Sequence, residues 1–144
     1  MTQNILSIKN LNVRYFGARG AMHAVRNVSF DVGREKVAII GESGSGKSTV
    51  GRALLRLLPD IARIEADNLD FEGQHMLSLS EKQMQDIRGR RISMILQDPK
   101  FSLNPVISVG EQVSEAYLAH FKVSRAESEK ARHRPARGRA HSRP

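Results

Sequence analysis

Two stretches near the start of the chain alternate apolar and polar residues: "NILSIKNLNVRYF" over 4–16 and "AVRNVSFDV" over 24–32. A period of two turns one face of a strand to a core and the other to water. Both stretches are predicted strands, paired across the loop "GARGAMH". The next apolar stretch differs. "KVAII" (36–40) is continuous, the pattern of a short strand buried on both faces. From about Lys47 to Leu58 the period becomes helical, with Val50, Ala53, Leu54, Leu57 and Leu58 on one face and Pro59 as the stop. "RIEADNLDFEGQHM" (63–76) reads as a strand and turn with Leu69 and Phe71 inward. Ser80 and Gln83 form a capping box for a short helix to about Arg88. "RISMIL" (91–96) is a second continuous apolar run, read as a buried strand. "QDPKFSLNP" (97–105) is a loop held open by Pro99 and Pro105. Ser108 and Glu111 cap a helix over about 109–121, with Val109, Val113, Ala116, Tyr117 and His120 along one side. After Val123 no periodicity remains, and nothing along the chain repeats. Strands mixed with helices put the chain in the α/β class.

Between "KVAII" and the first helix lies "GESGSGKST" (41–49), with three glycines, three serines and one lysine in nine positions. Such a stretch buries almost nothing and is costly to order, so it needs a ligand to explain it. It fits G-x-x-x-x-G-K-[ST] with Gly41, Gly46, Lys47 and Ser48 at the fixed positions. Glu42, Ser43, Gly44 and Ser45 lie between them, and Thr49 follows. Glycine permits the positive φ angles that let successive N–H groups point into one hollow. The following helix adds free N–H groups and the positive end of its dipole. Lys47 is then placed for the β- and γ-phosphates of a nucleotide, and the Ser48 hydroxyl for Mg²⁺. The alternative is a flexible linker. The pattern arises by chance in roughly under one per cent of chains this long, and here a predicted strand precedes it and a helix follows.

The net charge of +8 suggests a nucleic-acid partner, but its distribution argues otherwise. Six of the 23 Lys and Arg fall in residues 130–144, "KARHRPARGRAHSRP", with no acid among them. The other 129 residues hold 17 basic groups against 15 acidic ones and are nearly balanced. The basic character belongs to a tail, and no aromatic residue lies between its arginines for base stacking. No nucleic-acid partner is therefore expected. The chain has no cysteine, which excludes disulfides and thiolate metal sites and suits a reducing compartment. No apolar run approaches the roughly 20 residues needed to span a bilayer. "MTQNILSIKN" has no basic region followed by an apolar stretch, so no secretory signal is expected.

These pieces, in this order, resemble the amino-terminal half of an ATP-binding subunit of an ABC transporter. More narrowly, they resemble the subunits that drive bacterial import of oligopeptides, dipeptides and nickel. "GESGSGKST" matches the family's phosphate loop in full. Gln97, in "MILQDP", matches the Q-loop glutamine, whose amide can reach both Mg²⁺ and the attacking water. "QDPKFSLNP" followed by "VGEQVSEAY" is typical of the peptide and nickel subgroup. "LNVRY" places Tyr15 where the family has an aromatic that stacks on adenine, although Phe16 beside it offers the same flat π face. The resemblance covers residues 4 to about 125. It implies an incomplete ABC nucleotide-binding domain of the P-loop NTPase type: an N-terminal antiparallel β part, then the start of the P-loop core, over 1–125. Residues 126–144 form a basic tail, expected to be disordered. The implied ligands are ATP and Mg²⁺. Tyr15 and Gly41 to Thr49 would hold the nucleotide, Ser48 and Gln97 the metal, and Lys47 and Gln97 would serve catalysis. The implied partners are a second ATP-binding subunit, joined head to tail around two ATP molecules, and membrane permease subunits touched by about 98–121. The implied location is the cytoplasmic face of the plasma membrane, peripherally attached.

The sequence also departs from the family. No apolar run ends in Asp-Glu, so the Walker B aspartate and the catalytic glutamate are not among these residues. "LSLSEKQ" (77–83) precedes the Q-loop and "SVGEQ" (108–112) follows it too closely for either to be the LSGGQ-type signature. His23 and His75 precede the Q-loop, and His120, His133 and His141 lie in the wrong context for the switch histidine. None of the five is spaced as a metal-ligand set. The tail has the composition of GC-rich DNA read out of frame, so the coding frame is expected to be lost near Glu129 to Ala131. The expectation for the chain alone is a fragment that binds nucleotide without turning it over.

Overall fold

The first alternating stretch is the strand around which one sheet is built. The computed structural model describes residues 4–18, 20–97, 103–121, 123–124 and 127–128. In it β1 (Leu6–Gly17) pairs antiparallel with β2 (Gly20–Val32) along one edge. The other edge of β1 is shared between two strands. Its Leu6–Lys9 part pairs with β4 (Asn68–Phe71), and its Asn12–Tyr15 part pairs with β3 (Ala62–Glu65). β5 (Gln74–His75) extends the sheet beyond β4. Every pairing is antiparallel.

Serving two partners in succession requires β1 to bend. Its ladder with β2 shifts register between Ile8 and Leu11, between Leu11 and Val13, and between Val13 and Arg14. Asn10 and Asn27 take left-handed backbone, φ 54° and 49°, which Asn tolerates because its short side chain bonds locally. Asn12 secures the irregularity. Its Nδ2 donates to the Asn10 carbonyl at 2.8 Å, and its Oδ1 accepts from the Asn27 N–H at 3.2 Å. Pairing continues to Gly17 opposite Gly20, so Ala21, Met22 and His23 stand in the ladder and not in the wider loop the sequence suggested.

Two chain segments fall into compact units, divided after Arg88. In the first, the inward residues of the sheet (Ile8, Leu11, Val13, Leu69, Phe71) form a core with Val50 and Ala53 of α1 (Lys47–Leu54) and with Met84 and Ile87 of α2 (Glu81–Ile87). None of these is more than 4% exposed. α2 begins with the expected capping box, Ser80 N–H donating to Gln83 Oε1 at 2.8 Å. α1 is shorter than its apolar spacing suggested. Arg56, at φ 51°, turns the chain left-handed. The Leu57 N–H then reaches the Arg52 carbonyl at 2.9 Å, and the Arg56 N–H the Ala53 carbonyl at 3.0 Å. This is a Schellman stop with arginine where glycine is usual, and it leaves Leu57 exposed.

In the second unit, α3 (Val109–Leu118) starts at Ser108, whose Oγ accepts from the Glu111 N–H at 3.2 Å. Its expected apolar side is uncovered: Val109 and Val113 are exposed, and the helix residue buried is Ser114. Tyr117 stacks on Phe121 with ring centres 4.5 Å apart.

The two continuous apolar runs are not strands. Residues 36–40 and 91–96 join no sheet. Ile40 and Ile95 are 92% and 93% exposed. A fully buried strand needs partners on both edges and cover on both faces, and no described strand pairs with either run. The tail from residue 129 onward, with the expected loss of frame, and residues 98–102 of the loop after Gln97 lie outside the described residues.

Candidate phosphate-binding loop

Residues 41–46 follow the unpaired segment 36–40 and lead into the first turn of α1. Gly44 and Gly46 take φ 81° and 92°. Gly46 is the N-cap, and no side chain caps the helix there. The N–H groups at the start of α1 thus keep their capacity for an anion. Space also demands glycine at Gly46: a Cβ would stand 2.6 Å from the Ala24 carbonyl oxygen of β2. At Gly41 a Cβ would stand 2.8 Å from Ser45 Oγ.

Lys47 folds back across the loop it follows. Its Nζ donates to the carbonyls of Gly41 at 2.8 Å and Glu42 at 2.6 Å, and to Ser45 Oγ at 3.3 Å. A cation is thereby fixed at the mouth of a loop rich in N–H groups. Ser43 and Ser48 are exposed, and Thr49 is half-buried in the first turn of the helix. A cleft of about 510 Å³ opens at this point. Gly41, Gly44, Ser45, Gly46 and Lys47 form its floor, with Val25 and Ile40 among the apolar groups beside it.

The structure therefore brings Gly41, Gly44, Ser45, Gly46 and Lys47 to one cleft, which Glu42, Ser43, Ser48 and Thr49 do not line. Tyr15 is placed elsewhere in the same unit. With Phe16, Met22 and Ile61 it lines a second open hollow of about 460 Å³, which shares no lining residue with the first. Gln97 belongs to the second unit and is exposed. Sequence reasoning missed His23 and Arg26, both of which line the phosphate-loop cleft. They come from β2, about twenty residues before the loop, and no local motif marks them. Among the described residues, no three His, Asp or Glu stand together as a metal site, and no helix is long and apolar enough to cross a membrane.

The family model described as "ABC transporter" matches residues 25–142. This chain belongs to the ABC transporter family. Similar members of that family include a protein of Sinorhizobium fredii named as a probable peptide ABC transporter ATP-binding protein. It is 44% identical over 126 residues, which is 86% of this chain and 38% of that protein. The dipeptide transport ATP-binding protein of Lactococcus lactis is 43% identical over 130 residues, covering 89% of this chain and 37% of its own length. The oligopeptide transport ATP-binding protein of Bacillus subtilis is 40% identical over 128 residues, 88% of this chain and 36% of its own. This ABC chain thus spans less than two fifths of the relatives it matches. Its sheet and glycine-rich loop form part of an ABC nucleotide-binding domain.

Proposed function

We propose that this chain is the nucleotide-binding part of an ATP-binding subunit that drives import of peptides or a related solute such as nickel. The observation that carries the reading is the placement of Lys47 Nζ, at 2.8 and 2.6 Å from two loop carbonyls, beside a helix start with no side-chain cap. The peptide class comes from what the relatives are named for transporting, and nickel from the subgroup that "QDPKFSLNP" resembles.

The residues present fit a nucleoside triphosphate. Positive-φ glycines, an uncapped helix start and an ammonium at the mouth are the features an anion site requires. Gly41 to Gly46 would cradle phosphate oxygens with backbone N–H groups. Lys47 would trade its loop carbonyls for the β- and γ-phosphates. Ser48, followed by Thr49, would hold Mg²⁺, which neutralises phosphate charge, and Gln97 is the further ligand that the family resemblance implies. Tyr15 or Phe16 would carry the adenine. Catalysis of this type is positioning and charge stabilisation. The water-polarising carboxylate is not among these residues, so the chain alone binds MgATP without turning it over. The whole subunit would work in a head-to-tail pair with a second ATP-binding subunit, against permease subunits, at the cytoplasmic face of the membrane.

A binding titration of MgATP against the 144-residue chain and its Lys47→Ala variant tests this reading. The variant is expected to lose binding while keeping its circular dichroism and unfolding midpoint. Equal binding by both overturns the phosphate-loop assignment. Steady phosphate release by the purified chain overturns the non-hydrolysing reading.

A further inference from the structure

The far end of α1 is tied down by side chains that the nucleotide reading does not use. Arg88 is the C-cap of α2, 33 residues after Leu55, the C-cap of α1. Its guanidinium nevertheless reaches the two carbonyls just past the last residue of α1. Nε donates to the Leu55 carbonyl at 2.7 Å and Nη2 to the Arg56 carbonyl at 3.2 Å. Nη1 pairs with the Glu81 carboxylate at the other end of α2. The Arg88 side chain is 20% exposed, so most of it is enclosed. A second arginine works from the opposite direction. Arg56 holds the left-handed backbone that ends α1, and its own Nη1 donates to the Leu79 carbonyl and to the Met76 carbonyl at 3.4 Å. Arg56 thus crosses from the end of α1 to the segment that runs from β5 into α2, and Arg88 crosses from the far end of α2 back to the end of α1.

α1 has only eight residues. A helix that short has little stability of its own, and a tilt at one end moves the other. Its start is the phosphate grip. Arg88 is also a cation at a helix C-terminus, where it complements the dipole that the anion meets at the N-terminus. The planar fork matters as much as the charge. Three donors of one rigid group meet three acceptors, which an ammonium on a flexible stem does not reproduce. We infer that Arg88 is a positioning residue: it holds α1 at the angle at which Gly46 to Thr49 present their N–H groups to phosphate. This inference rests on the nucleotide reading above.

The test compares Arg88→Lys with Ile87→Val, a core variant from the same helix, in the 144-residue chain. Amide hydrogen exchange over residues 47–56 is measured without nucleotide, and the MgATP dissociation constant at a temperature where both variants are folded. Arg88→Lys is expected to raise exchange across α1 and weaken MgATP binding about tenfold, the loss of one charge-assisted pair. Ile87→Val should leave both near wild type. Glu81→Gln, which releases Nη1 at an exposed carboxylate, should move both readings the same way by less, and decides the matter if Arg88→Lys does not fold. Arg88→Lys and Glu81→Gln that match Ile87→Val in both readings overturn the inference. Wild-type chain with no affinity for MgATP sinks the nucleotide reading, while the exchange arm still decides whether Arg88 orders α1.

Discussion

β1 and the run 36–40 are both rich in β-branched and aliphatic residues, yet one is the centre of a sheet and the other pairs with nothing described. Leu11 and Val13 of β1 are fully enclosed, whereas Ile40 is 92% exposed. The difference lies in where partners come from. An antiparallel strand finds its neighbour through a hairpin, and β2 begins three residues after β1 ends. A strand buried on both faces belongs to a parallel sheet, whose neighbours arrive through long crossovers. Local sequence supplies the first kind of partner and not the second.

The largest expected effect breaks or keeps that contrast directly. Leu11→Ala should cost about 2–5 kcal/mol in denaturant unfolding, and Ile40→Ala should stay within about 0.5 kcal/mol. Equal costs would mean that the run 36–40 is packed in solution and that the contrast is false. A second pair compares glycines with and without a neighbour. Gly46→Ala meets the Ala24 carbonyl at 2.6 Å as well as a φ of +92°, and Gly20→Ala meets only its φ of +106° in open space. The first should cost roughly 1–3 kcal/mol and the second about 1 kcal/mol. Only the first should weaken MgATP binding.

The two serine caps sharpen the comparison further. Ser80→Ala should lower global stability by about 1 kcal/mol, because α2 carries Met84 and Ile87 into the core. Ser108→Ala removes the same kind of bond from α3, whose Val109 and Val113 are uncovered. Its effect should appear as faster amide exchange in 109–113 with little change in the global midpoint. The smallest effect is electrostatic. Glu35 accepts the Gly33 N–H at 2.7 Å, and that bond, with the N–H of Glu35 itself, holds its carboxyl below the ordinary range. A lowered folded value favours the charged form. Its contribution is present above the ordinary carboxylate range and lost as pH falls through the folded value. Glu35→Gln should therefore lower stability slightly at neutral pH, leave it unchanged below the folded value, and so flatten the acid side of a stability–pH curve.

How much could be read in advance follows the same division. The alternation of β1 and β2, the inward Leu69 and Phe71, both serine caps and the glycine loop all depend on neighbours a few residues away, and all were legible. The early end of α1 was not, because arginine at position 56 gives no local sign of left-handed backbone. The tie from Arg88 to Leu55 and Arg56 spans more than thirty residues and has no motif. The continuous runs 36–40 and 91–96 were read as strands from their composition. Composition reports a wish for burial and says nothing of whether a partner is at hand.

The divided edge of β1 has one more consequence. Because its two halves face β4 and β3 while its other edge faces β2, a slip of one residue would misalign three ladders at once and turn Leu11 and Val13 outward. The bulges near Asn10 and Asn27 act as detents against such a slip. β1 is thus a self-checking strand: over Leu6–Lys9 and Asn12–Tyr15 an error of alignment sets it against two neighbours at once.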